Sequence, residues 1–174
     1  MSGLSGQSGH GRVGRWRWTL YVMLAFAGAL LTFVGARAQQ KASDDTKFRT
    51  LIDELCAAWS SGDVTAPAKF YAKDAGLVFY DVAPFAYHGW KEYQEGVQKE
   101  LKENPEDFTL KPGKDLKVSR RGMIAWTTVS MHLTEKPKNG KVTESDLRYT
   151  GIWEKRGANW VLVHDHLSAP LSGN

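Results

Sequence analysis

The hydrophobic pattern of this chain changes period once, near Pro105, and that change limits the fold more than any single motif. Before it, Phe48, Leu51, Ile52, Leu55 and Trp59 recur at helical spacing and predict an amphipathic helix over residues 44–61. Ser43 is placed to cap its start and Gly62 to stop it. A shorter helical stretch is expected over 63–71, with Pro67 near its first turn, and a brief strand over 76–81. Trp90, Tyr93, Val97 and Leu101 share one face of a further helix over 89–102. After Pro105, four β-rich segments follow at 108–118, 123–135, 142–155 and 160–168. Helices first and a long antiparallel sheet afterwards imply an α+β domain with the helices gathered on one side of the sheet.

Turn chemistry then suggests a register. Asn139-Gly140 is the strongest short hairpin signal in the chain, and a two-residue loop there sets Trp126 opposite Trp153, Ser130 opposite Tyr149 and Met131 opposite Arg148. An odd loop at Arg156-Gly157-Ala158 sets Thr150 beside His164 and Arg148 beside His166 on one face. The other face then carries Tyr149 with Asp165, Gly151 with Val163 and Trp153 with Val161. Trp126, Thr128, Ser130, Tyr149 and Trp153 beside Asp165, with Trp59 and Tyr80, describe the wall of a small-molecule pocket: aromatic surface with a few convergent polar groups. The same residues also suit an ordinary core face, with Asp165 satisfied by Tyr149.

Charge bears on compartment and partners. The chain has 174 residues, enough for one ordinary domain, with 23 basic and 19 acidic side chains. Four of the basic ones, Arg12, Arg15, Arg17 and Arg37, fall in residues 1–38, which hold no acid, so the rest of the chain is neutral. Nucleic-acid binding therefore has no electrostatic support, and the Lys111–Lys117 and Arg120-Arg121 stretches read as a solvated edge and turn. The order of arginines, an uncharged run over 18–36 and Ala36-Arg37-Ala38 is that of a secretory signal peptide cleaved after Ala38. Retention as a membrane anchor is the alternative, because the run is about one bilayer span long. The expected layout is a leader over 1–38, a tether over 39–43, a domain over 44–170 and a tail over 171–174, with the domain exported, in the periplasm. Cys56 is the only cysteine; it rules out an intramolecular disulfide and reads as a small buried hydrophobe rather than a nucleophile.

The layout and local motifs resemble the nuclear transport factor 2-like superfamily, and within it the SnoaL-like and calmodulin-dependent-kinase association-domain branches. The matching pieces are Ala57-Ala58-Trp59-Ser60-Ser61-Gly62-Asp63, Phe70-Tyr71-Ala72-Lys73-Asp74-Ala75, Tyr80-Asp81 with Pro84 and Gly89, and Arg148-Tyr149-Thr150 with Trp153 and Trp160. Val163-His164-Asp165-His166-Leu167-Ser168-Ala169-Pro170 completes them. The resemblance implies a cone-shaped fold, a curved sheet wrapped around a pocket, and pairing into a homodimer through the sheet. It leaves function open, since the superfamily includes isomerases, cyclases, dehydratases, scaffolds and many proteins of no known activity.

Within that resemblance Asp81 stands where ketosteroid isomerases carry their proton-shuttling aspartate, and an apolar cavity would raise its pKa. A turn aspartate capping the next loop is the plainer alternative. Leu55 falls where those enzymes hold an oxyanion-hole tyrosine, which argues against isomerase chemistry. Thr128, Gly151 and Leu167 replace the arginines of the kinase association domains, which argues against a carboxylate site. His164 and His166 point to one face of a strand, with His132 expected on the other, so a structural role with Arg148 at a sheet-to-sheet dimer contact is preferred to metal binding. The sequence thus predicts a dimeric, exported binder of a small, mostly apolar molecule, with no cofactor or metal. An acid–base enzyme with Asp81 as base and Asp165 or Tyr149 assisting is the rival reading, and an oligomerisation scaffold the third.

Overall fold

The computed structural model describes the backbone of residues 13–103, 106–138 and 140–170, and side chains from Ala36 onward except those of Glu103 and Glu106. Contacts divide the chain into two units, residues 1–43 and 44–174. In the first, the described residues are helical from Val13. The expected leader's apolar run lies almost wholly outside the described side chains, among which no helix is long and apolar enough to cross a membrane.

Helix α1 runs unbroken from Val13 to Trp59, so Ser43 caps nothing and the expected tether is helical. Residues 36–59 hold neither Gly nor Pro, and Ala, Arg, Gln and Lys there all favour helix. Its 44–59 portion buries Phe48, Ile52, Leu55 and Cys56, the face read from the sequence. The second helical stretch is shorter than expected, a 3-10 helix over Ala66–Phe70 with Pro67 buried at its start. Strands β1 (Val78–Phe79) and β2 (Tyr87–His88) pair antiparallel, and α2 follows over Gly89–Glu103.

The main sheet has the order β3 (Glu106–Pro112), β5 (Ile124–Pro137), β6 (Thr143–Arg156), β7 (Asn159–Ser168), all antiparallel. Strand β4 (Lys117–Arg121) pairs with the other end of β5, so β3 and β4 share one of its edges in tandem. The single strand expected over 108–118 is broken at 113–116. There the Asp115 carboxylate accepts hydrogen bonds from the Ser130 amide at 3.1 Å and hydroxyl at 2.8 Å, and the Gly113 amide donates to the Ser130 carbonyl at 2.8 Å.

Two registers differ from expectation, by different amounts. Between β5 and β6 the pairing is displaced by one residue, so Trp126 meets Ile152 and Ser130 meets Arg148. Asn139, at the centre of the expected turn, lies outside the described residues. A one-residue slip exchanges the faces of a strand. Ala125, Thr127, Val129 and Met131 therefore face inward, while Trp126, Thr128 and Ser130 face out. The β6–β7 turn has two residues, not three, with Gly157 at φ +60° beside Ala158, and Arg156 pairs with Asn159. A bulge between Ile152 and Trp153 then shifts the register again, so that Gly151 meets Asp165 and Tyr149 meets Leu167. Trp160 and Leu162 face the core in place of Val161 and Val163.

The core lies between the helices and the inner sheet face. Phe48 packs edge-on to Trp153 at 5.7 Å and against Trp160 at 5.1 Å, closing one end with aromatic side chains. The Trp153 indole N–H donates to Thr127 Oγ1 at 3.0 Å, which satisfies two buried polar groups together.

Candidate functional site

At the other end of the core the helices and sheet enclose a cavity of about 410 Å³. Leu55, Cys56 and Trp59 of α1 form one wall, Tyr93, Val97 and Leu101 of α2 a second, and Met131, Leu147 and Leu167 of the sheet a third. Four carboxyls interrupt this apolar surface: Asp81, Glu100, Glu135 and Asp165.

Asp165 is 3% exposed, on the inward side of β7 opposite Gly151. Its Oδ2 accepts a 2.7 Å hydrogen bond from the Tyr71 hydroxyl, whose oxygen accepts one from the Trp59 indole at 3.2 Å. The direction of this chain is fixed, because an indole N–H can only donate. The Tyr71 proton must then lie toward Asp165, which leaves Oδ1 as the carboxyl's open position. Oδ1 and the Tyr149 hydroxyl are both buried with no hydrogen-bond partner among the described residues. Burial pushes the Asp165 pKa up to about 7; Tyr71 opposes the rise, the Asp81 charge adds to it, and Tyr149 opposes it more weakly. Tyr149 thus lies near enough to act on the carboxyl, yet the two make no hydrogen bond of acceptable geometry.

Asp81 follows Tyr80, whose backbone pairs with β7: the Tyr80 amide donates to the Asp165 carbonyl at 2.9 Å. Alternation along this segment turns Phe79 inward, Tyr80 outward and Asp81 inward. Part of Asp81 meets solvent, while its carboxyl is packed closely enough that burial raises its pKa, against hydrogen bonds from the Val82 amide (2.7 Å) and the Tyr93 hydroxyl (3.2 Å). It caps its own loop and lines the cavity at once. The Tyr71, Tyr93 and Tyr149 hydroxyls are pushed well above the ordinary tyrosine range, by burial first and the nearby carboxyls second. They stay protonated and can act as donors at neutral pH. Burial likewise lifts the Cys56 thiol to about 12, the inert state expected of it.

Of the residues singled out from the sequence, Asp81, Asp165, Trp59 and Tyr149 line this cavity. Trp126, Thr128 and Ser130 do not; the register slip puts them on the outer face, where Trp126 is 37% exposed. Tyr80 is also outside, its ring edge-on to His164 at 5.4 Å and His166 at 5.8 Å. Trp153 faces inward but is spent in the aromatic end of the core, fully buried. Arg148 and His166 are exposed and His164 half-buried, with His164 Nδ1 2.7 Å from the Val78 carbonyl oxygen. The same slip carries His132 to the outer face, where it meets Asp146 at 2.9 Å. Among the described residues no three His, Cys, Asp or Glu side chains are grouped to hold a metal.

Tyr71 and Tyr93 belong to the site although the sequence pattern does not single them out. Each reads locally as one more apolar position, and only its hydroxyl contact with a residue 94 or 12 positions away reveals a site role. The one available signal is the density of tyrosine and tryptophan ahead of the sheet.

A SnoaL-like domain model matches residues 49–172. No curated protein matches the chain in sequence. Among solved structures, a nuclear transport factor 2-like superfamily protein from Salmonella enterica serovar Typhimurium is similar with a TM-score of 0.67 and 18% identity, over 76% of this chain and 95% of that one. A protein from Streptomyces avermitilis assigned as a dehydratase of the same family gives 0.64 and 17%, over 75% and 99%. A domain from Xanthomonas campestris assigned as a calcium/calmodulin-dependent protein kinase II association domain gives 0.60 and 21%, over 73% and 88%. At such identities the likeness is one of fold.

Proposed function

The chain belongs to the SnoaL-like domain family, with the nuclear transport factor 2-like fold, and from that premise we propose that it binds a small, mostly apolar molecule in the cavity between helices and sheet. The observation that carries this reading is the Asp165 carboxyl, buried at the wall of a largely apolar space with Oδ1 unpartnered. A buried acceptor without a partner is costly, and a ligand that donates to it removes that cost. Titration of the protein with 4-phenylbutan-1-ol, followed by calorimetry, tests the reading. Saturable binding is expected, and Leu133→Trp, which adds bulk to the cavity wall, should weaken it about tenfold or more while circular dichroism stays unchanged. No saturation at millimolar alcohol would overturn the reading.

Export and pairing into a homodimer belong to the same proposal. The arginine-led, apolar leader supports the first. The outer sheet face supports the second, with Ile124 and Trp126 exposed on it and Arg148 and His166 farther along the same face.

Acid–base catalysis is the second reading, favoured by one observation: two carboxyls of raised pKa face one cavity among protonated tyrosines. Asp81 or Asp165 would take a proton from carbon, and a tyrosine hydroxyl would donate to the developing enolate in place of the absent donor at Leu55. Deuterium uptake by 4-phenylbutan-2-one in heavy water measures this step. Uptake that is abolished by Asp81→Asn or Asp165→Asn supports an enzyme, and uptake no faster than in buffer leaves a binding protein.

A further inference from the structure

The ionisable acids and bases of the cavity wall are all of one sign. Asp81, Glu100, Glu135 and Asp165 line it, and among the described residues no Lys, Arg or His does. Glu100 is exposed and Glu135 half-buried, so this pair marks the outer part of the space, whereas Asp165 is inside. The side chains of Trp59, Tyr71, Tyr93 and Tyr149 also line the cavity, with Tyr71 stacked on Trp90 and Tyr93 on Tyr87 and Phe79. The acidic side chains alone would mean little. The second observation is Oδ1 of Asp165, buried in this wall with its partner oxygen already taken by Tyr71.

We propose that the ligand is an organic cation, an amine with a compact apolar body whose ammonium group sits against Asp165 Oδ1 among the aromatic rings, with Asp81 as the second carboxyl. This rests on the ligand-binding reading of the same cavity. An anion would meet Asp165 and Asp81 with no base among the described lining residues, and a neutral molecule would give the Asp165 carboxylate no counter-charge. An ammonium supplies donors to Oδ1 and a counter-charge to the carboxylate.

The pairing has a pH signature. Without a ligand Asp165 titrates at about 7, and an ammonium binds its ionised form, so binding at neutral pH expels a proton. Amine affinity should therefore climb by up to about tenfold per pH unit below 7, level off, and fall only as the amine itself deprotonates near ~10. The other groups facing Asp165 are Tyr71, Tyr149 on β6, Tyr93 on α2 and Cys56 on α1, all held neutral in this range, and Asp81, whose pKa is also raised. Glu100 and Glu135 lie farther out on the wall.

The test is calorimetric titration of the full chain with three probes of one shape: 4-phenylbutylamine, 4-phenylbutan-1-ol and 4-phenylbutyrate. At pH 7.5 the amine should bind about tenfold or more tighter than the alcohol, and the carboxylate weakest. The amine's advantage should grow from pH 6 to 8, with proton release seen as buffer-dependent heat. Asp165→Asn should erase the advantage and the proton release, and Asp81→Asn should lower the advantage by a smaller factor while the proton release persists. Alcohol or carboxylate binding as tightly as amine, or amine binding without pH dependence, overturns the cation and leaves the cavity reading intact. Failure of all three probes overturns the cavity reading itself. The pH profile of the wild type needs no variant, so it supports or overturns the cation even where an Asn substitution folds poorly.

Discussion

Asp165 sets the first measurable consequence. Its folded pKa of about 7 lies above the ~3.9 of an unfolded aspartate, so folding takes up a proton. The stability this confers is whole below about pH 4 and is lost as pH rises to about 7. A gap of that size corresponds to about 4 kcal/mol. Chemical denaturation from pH 4 to 8 should show Asp165→Asn gaining on the wild type by an amount approaching that figure, with the difference flat above pH 8. Equal pH slopes for the two proteins would place the charge cost elsewhere. Gly151 is the companion case. A Cβ there would stand 3.0 Å from Leu162 Cδ2, Trp153 Nε1 and the Tyr149 hydroxyl oxygen, tighter than ordinary packing. Gly151→Ala should lower stability by about 1–3 kcal/mol and weaken alcohol binding, because the atom that yields most easily is the Tyr149 hydroxyl at the cavity wall.

Among the elements, the helices are the most legible and the sheet faces the least. The α1 face of Phe48, Ile52 and Leu55 is visible in sequence because a helix repeats its own geometry every turn. Phe48→Ala removes a ring held between Trp153 and Trp160 and should cost about 3–5 kcal/mol in urea denaturation, whereas Lys47→Ala beside it, exposed, should cost under about 0.5. A strand carries no such internal reference: its facing depends on the turn before it and on any bulge within it. One residue of hairpin register is enough to move Trp126, Thr128 and Ser130 from the expected pocket face to the outer one. Asp165 faces inward as expected although the β6–β7 turn differs from expectation, because the bulge opposite Ile152/Trp153 offsets that difference before the chain reaches it, while Tyr149, ahead of the turn, shares the inward face of β6 with Trp153.

For the molecule as a whole, two outcomes follow. The compact unit over residues 44–174 holds the core and the cavity, so a chain beginning at Gln39 should melt within a few degrees of the full chain and bind the same probes. The proposed pairing through the outer face makes Trp126→Glu weaken self-association about tenfold or more by sedimentation velocity, with alcohol affinity unaltered, since Trp126 is remote from the cavity wall. The amino-acid order alone decided the α+β class, the helix faces and the family, because those follow from periodicities and local motifs read over neighbouring residues. It also brought Asp81, Asp165, Trp59 and Tyr149 forward as candidates. The cavity itself, with Tyr71 reaching Asp165 and Tyr93 reaching Asp81 while one carboxylate oxygen is left open, was decided only by tertiary structure. Those contacts join residues up to 94 positions apart, and they depend on a two-residue turn and a bulge, each of which reverses the facing of β7.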